Sequence, residues 1–508
     1  MDLFNPVETE ERPQAARSVG SGVAWHDFGL HAYGRLSLDC AAGAPETIEV
    51  AFGEVLAADG RLDRAPGGSR IAFAVTVALG PEGGRVSVPI PPWKGPGRRT
   101  PAQQDVDPPV TVFRYVEITG ATRAVAPVRT RLTAPFDEAA AAFECSDATL
   151  KRVWDFCRHS IHATTAFGVY VDGNRERLPY EGDAYINQLG HFALDCDYSV
   201  ARRTIDLLLE HPTWPTEWAL IMVPVVYDYF MHSADLASLR RWHEPLQARL
   251  LPEHVDSATG LLTTAGDPFH RDIVDWPAGE RDGTVMGDFN LVPNCYRVRA
   301  LATQARLDDA LGHAAAAQAR RREAAALRAA VRTHFLKEGT FIDSIGADHL
   351  SLHGAVFALW GGVAEGAEIE ALKRLIVARG MACSVYGAQF LLEVCFEHGL
   401  AEHAVALMTS DSPRSWVNMM RRGATITMEA WDDGFKPNQD WNHAWGAAPA
   451  NIVARGLLGI RPTAPGFAAY EVKPRLGGVA RATYRYPTPR GAIVVEADGS
   501  GARHRLEF

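Results

Sequence analysis

Ser146–Cys157 reads SDATLKRVWDFC, and its spacing predicts an α-helix. Asp147 stands where a short acidic side chain caps a first turn. Leu150, Val153, Trp154 and Cys157 then recur at three- and four-residue intervals, which places them on one face. The same periodicity continues downstream, near 184–195, 198–211, 217–232, 236–250, 291–307, 310–335, 350–361, 366–379, 386–398, 401–409 and 444–458. That is about twelve helices in roughly 320 residues, joined by alternating short and long connections, and no fixed repeat period is present. The count predicts helical hairpins closed into a ring, an (α/α)6 barrel, although an open α-solenoid also satisfies it. Ala314–Ala330, rich in Ala and Arg, reads as an outer helix with a solvated face.

Upstream of this stretch the period changes to two. YGRLSLDC (33–40), TIEVAFGEV (47–55), RIAFAVTVAL (70–79), GRVSVPI (84–90) and VTVFRYVEITG (110–120) alternate apolar and polar residues between Gly, Pro and Asp breaks. They predict short strands of a β-sandwich. Pro91–Pro109 is Pro-rich and polar and predicts a long exposed loop. After the helices, AAYEVKPRL, GVARATYRYPTP and AIVVEADG return to strand patterning, too little for an independent sandwich. The expected architecture is multidomain: an N-terminal β-sandwich over 1–140, a central (α/α)6 helical barrel over 141–461 and a small C-terminal β module over 462–508.

The chain has 508 residues, enough to bury a large core without disulfide or metal staples. Its 51 Lys and Arg against 61 Asp and Glu give a net charge of −10, which argues against a general nucleic-acid binder. The seven cysteines are odd in number and none has CxxC spacing, so neither a disulfide framework nor a thiolate zinc site is expected. MDLFNPVETEERPQ lacks the apolar stretch of a secretory signal. The longest apolar run, Trp218–Met231, is interrupted by Pro224 and Asp228 and is shorter than the ~20 residues a membrane span takes. The expectation is a cytoplasmic protein without membrane or nucleic-acid partners.

Two segments carry the polar density expected of a site. The first is Tyr170–Asn187, YVDGNRERLPYEGDAYIN, where Gly173, Pro179 and Gly182 predict a loop between helices. The second is Gly423–Pro449, GATITMEAWDDGFKPNQDWNHAWGAAP. Glu429 lies there between Met428 and Trp431, so desolvation is expected to raise its pKa. Asp432, Asp433, Asp440, Asn442 and His443 alternate with Trp431, Trp441 and Trp445, the pairing of hydroxyl-binding groups and flat apolar faces that suits a sugar. A third cluster, from Asp267 to Asp288, with His270, Asp272, Asp275, Trp276, Glu280, Arg281 and Asp282, reads as a long loop, either solvated or walling a pocket.

HExxH, GxSxG and GxxxxGK[ST] are absent, and Gly20-Ser21-Gly22 lacks the third glycine of a dinucleotide fingerprint. His349 and His353, four apart, have no completing ligand spacing. No cofactor and no metal are expected. Carboxylates among aromatics point to glycoside hydrolysis, in which one acid protonates the leaving oxygen and a carboxylate activates water or attacks the anomeric carbon. Cleavage of another deoxy- or uronic-type sugar, isomerisation of a free sugar, and sugar binding without turnover stay open.

DGNRERLPYEGDA resembles the catalytic-loop motif of α-L-rhamnosidases of glycoside hydrolase family 78, typically DCPQRERLGWTGD. GATITMEAWD followed by WNHAWGAAP is similar to the family's second motif, a Glu before a Trp followed by an Asn-His pair. FRYVEITG and the GI-x-P-x-x-PGF stretch at Gly459–Phe467 extend the likeness to nearly the whole chain. The resemblance implies an inverting hydrolase of terminal α-L-rhamnosyl residues, with small-molecule or oligosaccharide rhamnosides as substrates and a possible homodimer. It implies Glu176 as general acid and Glu429 as general base. It also implies Asp172 and Asp183 on the sugar hydroxyls, Arg175 holding the carboxylates, and Tyr180, Trp276, Trp431 and His443 at the substrate. Gly173-Asn174 shortens the family's Cys-Pro-Gln, and Tyr180-Glu181 replaces Trp-Thr, which places an extra carboxylate beside the acid.

Overall fold

The computed structural model describes residues 5–20, 22–93, 95 and 109–507. Most of the loop expected over Pro91–Pro109 lies outside them.

The N-terminal unit is an eight-stranded antiparallel sheet: β1 (Val7–Glu11), β2 (Ala15–Ser18), β3 (Val23–Cys40), β4 (Glu46–Gly53), β5 (Ala72–Leu79), β6 (Gly84–Ser87), β7 (Thr111–Thr119) and β8 (Val125–Thr133). Its spine is β3, 18 residues long. The first half of β3 pairs with β2 and β7. After a register irregularity between Asp27 and Ala32, the second half pairs with β8 and β6. Leu36 and Leu38 of that second half share one core with Ile48, Val50 and Phe52 of β4 and Val116 and Ile118 of β7. Sequence alternation locates β4 to β7 but not β8, which carries Pro127 and the charged Arg129 and Arg131. The fold accommodates Arg129 by laying its guanidinium on the Phe28 and Phe113 rings, 4.7 and 5.5 Å from their centroids, and pairing it with Glu11.

The helices are α1 (Ala148–Ala163), α2 (Glu181–Leu194), α3 (Ser199–Glu210), α4 (Thr216–Ser233), α5 (Leu236–Ala248), α6 (Leu291–Ala310), α7 (Ala314–Phe335), α8 (Leu352–Trp360), α9 (Ala367–Arg379), α10 (Val385–Glu397), α11 (Ala401–Thr409), α12 (Trp416–Arg421) and α13 (Pro449–Ile452). Asp147 caps α1 as its sequence predicts, accepting from the Thr149 and Leu150 amides. Packing runs from α2 to α4, α6, α8, α10 and α13, and α13 returns to α2. Every residue of α2 and α8 in this series is buried, while α6 keeps an exposed edge at Ala302, Arg306 and Asp309. In contrast α7 and α9 bury one edge each. The loop expected to run to Asn187 ends earlier, because α2 begins at Glu181 and includes Gly182. That glycine serves close packing: a Cβ there would stand 2.6 Å from Trp218. The long helix expected near 444–458 is a short α13 continued by a π-type turn, and α12 has no counterpart in the periodicity.

A short hairpin of β10 (Leu336–Lys337) and β11 (Thr340–Phe341) follows α7; the tail forms a hairpin of β12 (Ile460–Ala464) and β13 (Ala469–Val472), and a four-stranded sheet in which β14 (Arg481–Tyr486), β15 (Ala492–Asp498) and β16 (Gly501–Glu507) are joined by β9 (Ala142–Cys145). Ala142–Cys145 pairs with β14, and residues 461 and 462 both lie within β12. Tyr484 anchors this sheet on α1, edge-on to Trp154 at 5.9 Å, and donates to the Ala193 carbonyl at 2.9 Å. All seven cysteines are free, and no helix of the described residues is long and apolar enough to cross a membrane.

Candidate active site

The loop between α1 and α2 is shaped by its own polar groups. Asp172 accepts from the Leu178 amide at 2.9 Å while its own amide donates to the Leu178 carbonyl at 3.0 Å. Gly173 takes φ +119°, and a Cβ there would meet Asp440 Oδ2 at 2.8 Å. Arg177, at φ 49°, is buried, and its guanidinium grips Asn174 Oδ1 at 2.8 Å and the Val110 carbonyl at 2.9 Å. These contacts turn Arg175 and Glu176 outward, into the space facing α4.

The second loop is closed by Glu429. Its amide donates to the Asp440 carbonyl at 3.0 Å, and its Oε2 accepts from the Asp440 amide at 3.1 Å. Asn442 ties the two loops to the sheet. Its Oδ1 accepts from the Asn174 amide at 2.7 Å and from Tyr33 at 2.9 Å, and its Nδ2 donates to Glu54 at 2.9 Å.

Asp172, Arg175, Glu176, Tyr180, Asp183, Trp276, Glu429 and His443 all line one cavity of about 200 Å³, together with Trp214, Trp218, Ile273 and Trp445. That volume is below the roughly 300–1,000 Å³ of drug-sized ligand sites, so it suits one sugar unit. A larger cavity of about 500 Å³ lies elsewhere, lined by Leu30, Arg131 and His159, and contains none of the expected site residues.

Arg175 organises the pair of glutamates. Its Nη1 and Nη2 donate to the two oxygens of Glu429 at 2.9 and 3.1 Å. The same Nη2 is 3.2 Å from Oε1 of Glu176, so the facing oxygens of the two glutamates are separated by no more than these two contacts placed end to end. Tyr180 donates to Oε2 of Glu176 at 3.0 Å. Lys436 adds a cation 3.1 Å from Glu429.

Burial works to raise Glu429, but His443, Arg175 and Lys436 outweigh it and hold the carboxyl below its ordinary value. This reverses the upward shift expected from desolvation alone. Burial, with Glu176, Asp183 and Asp440 close by, pushes Asp172 well above the usual range. Burial also raises Asp183, against the pull of His443, whose Nε2 stands 2.6 Å from it. Asp440 is pushed up to about 7 by burial, with the Glu429 charge adding to it. Two buried atoms of this group make no hydrogen bond, Oδ1 of Asp440 and Nδ1 of His443.

Trp431 is not among the residues lining this cavity. It is fully buried, edge-on to Trp416 at 5.0 Å, and its indole donates to the Cys383 carbonyl at 2.7 Å. Trp276, 38% exposed, lines the cavity. Glu181 also leaves the acid: it accepts from the Thr213 amide at 3.1 Å and faces Arg249 at 3.6 Å. The wall containing Ile273 is fixed from behind by the buried Glu217, which accepts from the Val274 amide at 2.8 Å where Val274 takes φ 60°. Trp214, Trp218, Lys436 and Glu54 were not indicated by the sequence. The aromatic spacing of WPTEW (214–218) was the available signal for the first two.

Ligand atoms of Glu429, Asp440 and His443 lie within 4.8 Å of one another, close enough for a metal ion. The chemistry of the donor set opposes one, because Arg175 and Lys436 already supply two cations to Glu429.

Two acid-bearing loops of the helical unit thus meet at a tryptophan-walled cavity. The sequence profile described as bacterial alpha-L-rhamnosidase 6 hairpin glycosidase domain matches residues 138–457, more than half of the chain, and the chain belongs to that family. It is 30% identical over 117 residues to an alpha-L-rhamnosidase of Alteromonas sp. (strain LOR), a match over 22% of this chain and 13% of that protein. The crystal structure of a GH78 family rhamnosidase of Bacillus sp. GL1 superposes with TM-score 0.74 at 21% identity, over 98% of this chain and 52% of that one. A rhamnosidase from Klebsiella oxytoca with rhamnose bound superposes with TM-score 0.69 at 16% identity, over 89% and 96%. The chain thus spans about half the length of the Bacillus enzyme.

Proposed function

We propose that this chain hydrolyses terminal non-reducing α-L-rhamnosyl bonds of rhamnosides or oligosaccharides with inversion. In this reading Glu176 is the acid and Glu429 the base. The supporting observation is that these two glutamates, from separate loops, line one sugar-sized cavity and both meet Arg175, in a chain of this family. We further read the closed series from α2 to α13 as the inner ring of an (α/α)6 barrel, and the two halves that share β3 as a β-sandwich.

The chemistry follows from charge placement. Glu176 gives its proton to the glycosidic oxygen while Glu429 takes one from an attacking water on the far face of the sugar. A negative charge develops on Glu176 as another is lost from Glu429. Both lie beside the same Arg175 guanidinium, which compensates the two changes together. Four donors now surround Glu429, two from Arg175, one from the Asp440 amide and one from Lys436. Entry of sugar and water therefore requires at least one to withdraw, which raises the basicity of Glu429 when it is needed. His443 and Asp183 bind hydroxyls, Asp172 tunes the acid, and Tyr180 fixes its carboxyl. Trp276 covers the ring from the solvent side.

Release of p-nitrophenol from its α-L-rhamnopyranoside tests this reading. Wild type is expected to turn over and Glu429→Gln to lose at least about a hundredfold. Undiminished turnover in Glu429→Gln, or conversion of free sugars with no rhamnoside cleavage, would contradict it.

A further inference from the structure

Outside the cavity, His254, Asp267 and His270 bring three ligand-type side chains together with their donor atoms within 4.8 Å of one another. We propose that they form a binding site for a divalent transition-metal ion, with zinc as its reference ligand. Two segments contribute: the turn Pro252–His254 and the loop at the start of the third polar cluster. Oδ2 of Asp267 is the centre, 2.5 Å from Nε2 of His254 and 3.1 Å from Nδ1 of His270. Ligands about 2.0–2.1 Å from a tetrahedral zinc stand on the order of 3.3 Å apart. An ion therefore enters on the ring nitrogens that now face Asp267, each neutral imidazole carrying its one proton on the other nitrogen, and the side chains adjust to that spacing.

The surroundings complete the pattern of a metal centre. Metal-bound imidazoles usually present the other ring nitrogen to a carboxylate or carbonyl, and ligating carboxylates are themselves hydrogen-bonded. Nδ1 of His254 is buried and makes no hydrogen bond, and Oε1 of Glu253 lies 3.2 Å from it. Metal on Nε2 places the proton on Nδ1, facing Glu253. The second oxygen of Asp267 accepts from the Phe269 amide at 2.6 Å. Two imidazoles and one carboxylate, partly open to solvent, suit a zinc ion that keeps one or more waters. The other triad outside the cavity, His243, Asp308 and His313, includes an exposed histidine and no comparable carboxylate behind its rings.

Placement gives the ion a role in shaping the wall of the sugar cavity. His270 is followed by Arg271, whose amide donates to the Trp214 carbonyl at 3.2 Å and whose guanidinium lies 4.8 Å from the Trp214 ring centroid. Ile273 and Trp276 follow on the same strand of chain. An ion at this site fastens that segment to the turn at His254, just upstream of the cavity-lining Ile273 and Trp276.

Calorimetric titration of the chelator-stripped full chain with Zn²⁺ tests the site. The expected result is one ion per chain. His254→Gln and His270→Gln should each weaken binding at least about a hundredfold, and Glu253→Gln, on an exposed side chain, about tenfold. His313→Gln should leave it unchanged. Zinc-edge X-ray absorption on the loaded wild type, which depends on no variant folding, should show two imidazoles with only nitrogen and oxygen donors. Absence of Zn²⁺ binding, wild-type affinity in both His variants, loss in His313→Gln, or a spectrum without imidazole would overturn the assignment.

Discussion

Arg175 holds both oxygens of Glu429, at 2.9 and 3.1 Å, although the two residues are 254 positions apart in the sequence. The contact joins the loop before α2 to the loop before α13. Within the proposed mechanism it is also the electrostatic hinge of the reaction, because the same guanidinium touches Glu176.

The first prediction concerns pH. Glu429 has a depressed pKa, so it is ionised and competent above that value and loses activity as pH falls through it. Arg175→Gln removes one of the groups that lower it. The acidic limb of the kcat/KM profile for p-nitrophenyl α-L-rhamnopyranoside should move to higher pH by about one to three units. An unmoved limb would show that Arg175 does not set the protonation of Glu429.

The leaving group separates acid from base. Glu176→Gln should lose about 10²–10⁴ in kcat on an alkyl rhamnoside and clearly less on the p-nitrophenyl substrate, whose leaving group needs little protonation. Glu429→Gln should lose on both. Equal losses in Glu176→Gln across the two substrates would remove its assignment as acid.

The two tryptophans of the polar segments should part company. Trp431→Ala empties a fully buried site and should cost about 3–5 kcal/mol in denaturant unfolding. Trp276→Ala, at a partly exposed position on the cavity wall, should change stability by about 0.5 kcal/mol or less while raising KM.

The sheet is predicted to act on the chemistry through Asn442. Tyr33→Phe removes one of the donors to Asn442 Oδ1, at a site that also receives the Asn174 amide two residues before Glu176. It should cost about 0.5–1.5 kcal/mol in stability. Because the loop bearing the acid loosens, kcat should fall with KM little changed. A variant with lowered stability and unaltered kcat would confine Tyr33 to folding.

Much of this was legible in the sequence where burial is one-sided. The face at Leu150–Cys157 and the alternation of β5 follow from it. The short α12 and α13 offer too few turns to show a period, and β8 is concealed by Arg129, whose charge is satisfied only once Glu11 pairs with it. The motif residues were placed in one cavity with the exception of Trp431, since side-chain direction within an irregular loop has no periodic signature. The direction of the Glu429 shift was misread for a related reason. Its apolar neighbours are adjacent in sequence, whereas Arg175 and His443 are brought to it by the fold. The triad of His254, Asp267 and His270 likewise emerges only from geometry, with no spacing that marks it.

The most direct test of two glutamates acting on opposite sides of one sugar is the configuration of the product as first released. Proton NMR during hydrolysis of an α-L-rhamnoside by wild type should show β-L-rhamnose first, with the α anomer growing only by mutarotation. Initial appearance of α-L-rhamnose would mean that no water attacks across the cavity, and would contradict the roles given to Glu176 and Glu429.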